Sequence, residues 1–285
     1  MLKRFLFPLF LLVFGLPAFA QTDAEYLKQA LLNLYAKTEL TAITYDYQYR
    51  DGLSSVAGFL KEGNSISFNI YLNDGQDYVV IGGGDKDVND IDIIVTDEDG
   101  NVIDKDDQSD NNPVVAFTAP HSGVYTFKLK LYDCDASGSF CGMAFMQKSG
   151  GIKPVTDKFD QALDKMVKAV NYVDDKIGTK FLDREGEICF YGFTFASDES
   201  SSTVNGIDLN PEENYLFMAM GDEEINDIDL VLLDNDGSKI DEDTEDDPTP
   251  IIKYEAPSSP EPLSLKVKNI SSPDNSVIFA VALED

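Results

Sequence analysis

The chain has 285 residues, of which 52 are Asp or Glu and 22 are Lys or Arg, and its formal net charge is −30. This excess of negative charge excludes nucleic acid and anionic membrane surfaces as favoured partners, because they would repel the protein. The length fits two domains of ordinary size, and a hydrophobic fraction of 43%, arranged with a clear period, excludes a disordered chain.

Residues 1–20 have the order of a secretory signal peptide. Lys3 and Arg4 precede an apolar run from Phe5 to Leu16, and the small residues Ala18 and Ala20 follow it. A retained membrane anchor is the alternative, but it needs about 20 apolar residues, and no other apolar stretch is long enough to span a bilayer. The sequence therefore predicts cleavage after residue 20 and export of a protein that is secreted or periplasmic.

An amphipathic helix is predicted at the start of each half. Thr22 and Glu25 resemble a capping box, and leucines recur at helical spacing through about residue 36. Residues 154–173 place four apolar side chains on one stripe, namely Phe159, Leu163, Met166 and Val170. Both stripes indicate packing faces against a sheet or against each other, with partner binding as the alternative.

After each helix the hydrophobic period changes to two, which predicts strands. The predicted strands are residues 65–72, 78–81, 90–95, 114–117, 125–131 and 142–146, and then 188–195, 215–220, 227–232, 251–254, 263–267 and 277–282. Short strands without alternating helices indicate an antiparallel sandwich or barrel rather than a parallel sheet.

The strand region is an internal duplication. Residues 71–120 and 208–257 align without a gap at an offset of 137, and 19 of the 50 positions are identical. A repeat predicts two units of one fold, each with its own core. We place them at residues 21–150 and 151–285, because residues 147–154 interrupt the strand pattern.

The repeated residues resemble a known family, the bacterial pre-peptidase C-terminal (PPC) domain. The resemblance is carried by the Asp-x-Asp strand at residues 90–95, the turn at 97–101, the acidic pair at 106–107 and the Ala-Pro-x-Ser-Gly-x-Tyr element within 115–127. It covers about residues 64–148. The second copy matches over residues 208–257 and then departs, with Ser-Ser-Pro-Glu-Pro at residues 258–262.

This resemblance implies a jelly-roll-like β-sandwich. Together with the pattern of helices and strands, it predicts a mainly β protein of two tandem jelly-roll-like antiparallel β-sandwiches, each preceded by an amphipathic helix. Domains of the family occur in secreted proteins beside hydrolases as accessory, targeting or ligand-binding modules, and related collagen-binding domains bind calcium. The resemblance therefore implies a non-catalytic role and Ca²⁺ as a possible cofactor.

Repeated carboxylates are candidate calcium ligands, because Ca²⁺ takes six to eight oxygen ligands. On a strand, Asp90 and Asp92 point to one face and repel each other by about 1 kcal/mol at 4 Å in water, a cost that a cation would remove. The candidates are Asp90, Asp92, Asp97, Asp99, Asp104 and Asp106 and their counterparts Asp227, Asp229, Asp234, Asp236, Asp241 and Asp243.

Two alternatives stay open for these acids. The Asp-x-Asp-Gly segments at residues 97–100 and 234–237 also suit tight hairpin turns, with Asp as a cap and Gly at positive φ. The strand acids also suit a charged, solvated edge that resists aggregation. A helix-loop-helix calcium site is excluded, because its first ligand position falls on Val95 or Leu232.

Cysteine and histidine usage argues against catalysis. Cys134 and Cys141 flank a hairpin-like loop and are a candidate disulfide in an oxidising compartment, whereas Cys189 suits a small buried position. His121 is the single His and has Ser258 at the matching position, so the sequence carries neither a nucleophile–His signature nor zinc-ligand spacing. A non-enzyme is predicted.

Two functions remain. The first is a calcium-stabilised, secreted tandem β-sandwich that binds an extracellular protein or polysaccharide, with the 13 Tyr residues replacing the absent Trp as sugar platforms. The second is an accessory factor of a separately encoded secreted hydrolase or protease.

Overall fold

The structure is a computed structural model that describes residues 23–50, 52–178, 180–181 and 191–284. The predicted signal peptide and Cys189 lie outside the described residues, as do the first three residues of the strand predicted at 188–195.

The described residues contain two helices, α1 (Asp23–Tyr45) and α2 (Thr156–Ile177). Helix α1 extends beyond its predicted end at residue 36, although its last part is rich in β-branched residues of low helix propensity. The hydroxyls of Thr38 and Thr41 donate to the carbonyls of Tyr35 at 2.8 Å and Lys37 at 2.9 Å. Helix α2 ends at Ile177 and is capped by Gly178, whose φ of 73° lies in the left-handed region.

Nineteen strands are described. The first part of the chain contains β1 (Gln48–Tyr49), β2 (Gly52–Leu53), β3 (Ser55–Leu60), β4 (Ser65–Leu72), β5 (Asp77–Gly84), β6 (Val88–Thr96), β7 (Val102–Asp106), β8 (Val114–Thr118), β9 (Gly123–Cys134) and β10 (Ser139–Gln147). The second contains β11 (Lys180–Phe181), β12 (Tyr191–Ala196), β13 (Ser201–Ile207), β14 (Asn214–Gly221), β15 (Asp227–Leu233), β16 (Lys239–Asp243), β17 (Ile251–Glu255), β18 (Leu263–Ser271) and β19 (Ser276–Glu284).

Each repeat is an eight-stranded antiparallel β-sandwich, as predicted. Strands β4-β9-β6-β7 form the small sheet of the first repeat, and β13-β18-β15-β16 form that of the second. The other eight main strands form one large sheet in the order β17-β14-β19-β12-β3-β10-β5-β8. The order is symmetric about the β12–β3 pair, so the two repeats are related by a pseudo-two-fold axis through the middle of the large sheet.

The large sheet is the middle of three layers. Nearly every residue of β5, β10, β14 and β19 is buried, because the small sheets cover one face and the helices cover the other. Gly83 shows how close this packing is: a Cβ there would lie 3.3 Å from the Cα of Leu34 and 3.0 Å from Oδ1 of Asn33 in α1. Glycine at this position therefore allows α1 to rest on β5.

The repeats meet at a junction between β2–β3 and β12, called the seam below. Two serine side chains replace part of the backbone ladder there: Ser54 Oγ accepts the N–H of Phe195 at 2.9 Å, and Ser55 Oγ accepts the N–H of Phe193 at 2.9 Å. Ala57 is paired with Tyr191 in the same junction.

Aromatic side chains fill the space between the seam and the helices. The Phe159 ring of α2 lies 3.9 Å from the Tyr35 ring of α1 and 5.3 Å from the Phe279 ring. Tyr49 stacks on Phe195 at 4.3 Å. The duplication predicts a separate core in each repeat, but the buried apolar residues form one continuous cluster, because the large sheet and the helix pair extend across both copies.

Cys134 and Cys141 are buried free thiols in the structure, so the predicted bridge is absent. They belong to strands of opposite sheets, and each donates instead to a nearby carbonyl, Cys134 to Ala136 at 3.2 Å and Cys141 to Ser139 at 3.8 Å. Within the described residues, no helix has the length and apolar character needed to cross a membrane.

Candidate functional site

The turn carboxylates Asp97 and Asp234 cap hairpin turns. Asp97 Oδ1 accepts the N–H groups of Asp99 at 3.0 Å and Asn101 at 2.8 Å, while Oδ2 accepts the Asn101 side-chain amide at 2.9 Å. This last hydrogen bond is the main reason that the pKa of Asp97 is lowered. Asp234 accepts the corresponding N–H groups of Asp236 at 3.0 Å and Ser238 at 2.7 Å.

Gly100 and Gly237 have φ values of 81° and 80°, so both turns have the geometry that the Asp-x-Asp-Gly spacing predicts. Asp99 and Asp236 are exposed at the turn tips. Asp104 and Asp241 accept the N–H of the residue that follows each of them, at 2.9 Å in both cases. These acids do not converge on the strand pair Asp90 and Asp92.

A second group of carboxylates fastens strand ends. Asp106 Oδ2 accepts the N–H of Val114 at 2.9 Å, and Asp243 repeats this contact with Ile251 at 2.8 Å. Asp85 Oδ2 accepts the N–H of Phe140 at 2.8 Å, and its counterpart Asp222 accepts that of Val277 at 2.8 Å.

Asp85 and Asp222 are 5% and 0% exposed, and sequence reasoning gave them no role. The available signal was the Gly-Asp dipeptide repeated at the end of a strand in both copies.

The remaining repeated acids lie at a β-bulge that both copies share. The β6–β9 register shifts on either side of Asp90, and the β15–β18 register shifts between Asp227 and Ile228. At each bulge a loop carbonyl takes the place of a strand partner: Ile91 donates to the carbonyl of Asp110, and Ile228 donates to that of Asp247, both at 3.0 Å. A bulge redirects a side chain away from the regular ladder.

Asp90 and Asp227 each carry a buried oxygen, Oδ1, that has no hydrogen-bond partner among the described residues. Asp92 lies between the fully buried Ile91 and Ile93 on β6, is 7% exposed, and is paired across the sheet with Lys130. We call Asp90 and Asp92 the first acidic site, and Asp227 and Asp229 the second.

The pKa values of Asp90, Asp92 and Asp227 are all raised. Burial is the main factor that raises the pKa of Asp90, and the charge of Asp133 adds to it, while a hydrogen bond with the Ser109 side chain acts in the opposite direction. Burial and then the charge of Asp90 raise the pKa of Asp92. Burial and then the charge of Asp229 raise the pKa of Asp227. Both sites therefore resist the accumulation of negative charge.

The two acidic sites differ in how closely a lysine approaches their carboxylates. In the second, Lys268 Nζ lies 3.0 Å from Asp229 Oδ2. In the first, the charge of the matching Lys130 lowers the pKa of Asp92, but its Nζ lies over the ring of Tyr132, 3.8 Å from the centroid. The first site is therefore the less neutralised of the two.

The two acidic sites offer oxygen atoms of the kind that calcium takes as ligands. Within the described residues, no three Asp, Glu, His or Cys side chains are gathered into a metal-binding group. The fit instead depends on the matched, unpartnered oxygens of Asp90 and Asp227 and on carboxylates of the type that calcium takes as ligands. The residues that would hold the ion are Asp90, Asp92, Asp227 and Asp229.

His121 packs at the start of β9. Its ring lies against Tyr125 with centroids 5.4 Å apart, and its Nε2 is 4.0 Å from Asp97 Oδ2. Tyr125 donates its hydroxyl proton to the carbonyl of His121 at 2.8 Å. These contacts give His121 a role in the packing of the turn.

No family model matches the chain. No curated protein matches it either. Among solved structures, the chain is similar to the pre-peptidase C-terminal domain of a collagenase from Bacillus anthracis, at 15% identity and a TM-score of 0.28, over 34% of this chain and 93% of that one.

The chain is also similar to the tandem CBM51 modules of a family 98 glycoside hydrolase from Streptococcus pneumoniae, at 12% identity and a TM-score of 0.24, over 80% of this chain and 82% of that one. A third similar structure is the CBM22 tandem domain of Xyn10C from Paenibacillus barcinonensis, at 11% identity and a TM-score of 0.22, over 76% and 81% of the two chains.

Proposed function

We propose that this is an exported, non-catalytic binding protein whose two sandwiches are stabilised by calcium at the two acidic sites. The observation that carries the proposal is the matched pair of buried oxygens, Asp90 Oδ1 and Asp227 Oδ1, that have no partner among the described residues. A buried polar atom without a partner costs about 1–3 kcal/mol, and more when it is charged. A cation bound there removes that cost in both repeats.

A binding rather than a catalytic role is supported by how the other repeated acids are used. Asp85, Asp97 and Asp106 each accept backbone N–H groups, and so do their counterparts in the second repeat. A carboxylate that fixes a turn is not available as a general acid or base. The protein would present its rigid double sandwich to an extracellular protein or polymer.

The test is thermal unfolding of the mature protein in calcium, in magnesium and in chelator at constant ionic strength. At a calcium concentration 100 times the dissociation constant, one native-state site adds about 2.7 kcal/mol of stability. For a chain of this size, this raises the midpoint by about 5–10 °C. Equal midpoints in calcium and in magnesium would contradict a specific site and leave charge screening as the explanation.

Variants separate the two sites. Asp90→Asn with Asp92→Asn should abolish the larger part of the calcium shift, because the first site is the less neutralised one, and Asp227→Asn with Asp229→Asn should abolish the rest. The matched control is Asp99→Asn with Asp236→Asn, which removes the same charge from exposed turn tips. If the control lowers the calcium shift as much as the site variants do, the ion is held by general charge and the proposal fails.

A further inference from the structure

A groove lies where the two small sheets approach each other beside the seam. It has a volume of about 230 Å³ and combines residues of both repeats. Strand β4 contributes residues 68–71, strand β13 contributes residues 201–203, and residues 50, 52 and 53 complete it. Both β4 and β13 are edge strands of their sheets. We call this the seam groove.

Arg50 and Gly52 each contact one side of the groove. Arg50 Nη2 donates to the carbonyl of Tyr71 in β4 at 3.4 Å. Gly52 has a φ of 91°, and a Cβ there would lie 3.4 Å from the Cβ of Ser202 in β13. The groove therefore depends on the way that the two repeats pack together.

Arg50 is the cation of the seam groove, and most of its donors are unused. Its hydrogen bond to Tyr71 is long and is the one hydrogen bond that its guanidinium makes within the described residues. A guanidinium has five N–H donors in a planar fork that matches a carboxylate. Burial lowers the pKa of Arg50, which agrees with its half-buried position but leaves it charged.

Among the described residues that line the seam groove, Arg50 carries the only charge. None of the described residues that line it is Asp or Glu, although the chain has a net charge of −30. Three other grooves lined by described residues each contain a carboxylate, from Glu255, from Glu39 and Asp46, or from Asp85 and Asp87. An anionic ligand that is repelled elsewhere would meet an unpaired cation here.

The other polar side chains of the groove suit a ligand rich in hydroxyl groups. Asn69 Oδ1 accepts the hydroxyl of Thr126 at 2.8 Å, which leaves its side-chain N–H groups available as donors. Ser201 is exposed, Thr203 is partly exposed, and the Tyr71 side chain is 58% exposed. A tyrosine ring supplies an apolar surface for the C–H face of a sugar, while amide and hydroxyl groups bond its hydroxyls.

We propose that the seam groove binds an acidic saccharide, with the carboxylate of a uronic acid on the Arg50 guanidinium and the adjoining sugar ring against Tyr71. This inference builds on the proposed binding role and names its ligand class and site. It does not depend on calcium, because the groove contains none of the acidic-site residues.

The experiment is calorimetric titration of the mature protein with tri-galacturonic acid and with neutral galactotriose, in sodium buffer with chelator. Chelator is required because polyuronates themselves take up calcium. The acidic trisaccharide should bind and the neutral one should bind at least tenfold more weakly. Arg50→Gln should lower affinity for the acidic sugar by about tenfold or more, since a charge-assisted, bidentate contact is lost.

Arg50→Lys keeps the charge but not the fork and should also weaken binding. Ser201→Phe fills the groove from an exposed position and should abolish binding without removing a buried contact. The matched control is Lys253→Gln, which removes a positive charge from a different groove. Circular dichroism and the calcium-induced midpoint shift of each variant establish that the fold and the acidic sites are intact.

Unchanged binding of the acidic sugar by both Arg50→Gln and Ser201→Phe would overturn the proposal. So would equal binding of the acidic and neutral sugars, or Arg50-dependent binding of an acidic peptide in place of the saccharide, since a peptide strand can add to an open sheet edge. If the parent protein binds the acidic sugar but shows no calcium-induced shift of its unfolding midpoint, the calcium sites are refuted and the seam groove is not.

Discussion

Replacing Phe159 with alanine removes a side chain that joins the two repeats. Phe159 is fully buried on α2, and its ring lies 3.9 Å from Tyr35 of α1 and 5.1 Å from Phe193 at the seam. A buried Phe→Ala change costs about 3–5 kcal/mol through lost burial and the cavity that remains. That is a large part of the about 5–15 kcal/mol that stabilises a typical protein.

The assay is equilibrium unfolding in urea, followed by far-ultraviolet circular dichroism and by tyrosine fluorescence, because the chain has 13 Tyr and no Trp. With a slope of about 3 kcal/mol per molar urea, the midpoint should fall by about 1–2 M. The parent protein should show one transition by both probes, since its core and large sheet are continuous. The two probes should separate in Phe159→Ala because the repeats become less tightly coupled.

The matched control is Phe217→Ala on β14. Phe217 is also fully buried, but its ring partner among the described residues is Tyr215 of its own repeat, 6.5 Å away. It should lose comparable stability while the two probes still coincide. The reasoning is refuted if Phe159→Ala costs less than about 1 kcal/mol, or if it and the control unfold in the same way.

Three further predictions concern a hairpin turn, the seam and the two acidic sites. Asp97→Ala should lower the midpoint of urea unfolding, because three turn hydrogen bonds are lost, yet leave the calcium-induced midpoint shift unchanged; a lost shift would make Asp97 a ligand. Ser54→Ala should lower the free energy of unfolding in urea by about 1–3 kcal/mol, because it leaves the Phe195 N–H buried without its acceptor. A change within experimental error would show that the Ser54 hydroxyl does not stabilise the seam. Without calcium, Asp90→Asn with Asp227→Asn should unfold at a higher temperature than the parent, by a margin that grows as pH rises from about 4 to 7. Because the pKa values of Asp90 and Asp227 are raised in the folded protein, the protonated carboxyls stabilise the fold fully at a pH below the unfolded pKa of 3.8. This stabilisation is lost as pH rises through the folded pKa. A temperature margin that does not change with pH would contradict this pH dependence.

The sandwich was predictable where one face of a strand is buried and the other is exposed. Ser65–Leu72 alternates in this way and was predicted at its observed bounds. Ser55–Leu60 was not predicted, because it lies in the middle of the large sheet, is buried on both faces and therefore has no period of two. Val102–Asp106 and Lys239–Asp243 were missed because they are polar edge strands.

The acidic signature was predictable as a repeat but not as a set of separate roles. Spacing alone places Asp97, Asp106 and Asp90 in one cluster, whereas the backbone assigns them to a turn, a strand end and a bulge. Register shifts have no composition signal, so the bulge could not be foreseen. Arg50 was missed for a different reason, since a single residue outside the duplicated segment forms no pattern.

The pairing of β3 with β12 gives the chain the geometry of a symmetric dimer within one polypeptide. In a true homodimer, a surface on the axis must be lined by two copies of the same residues, so any cation placed there is placed twice. Covalent duplication removes that requirement. One side of the axis can supply the charged group and the other can supply hydroxyls, and a ligand that spans the axis is then held in a single direction.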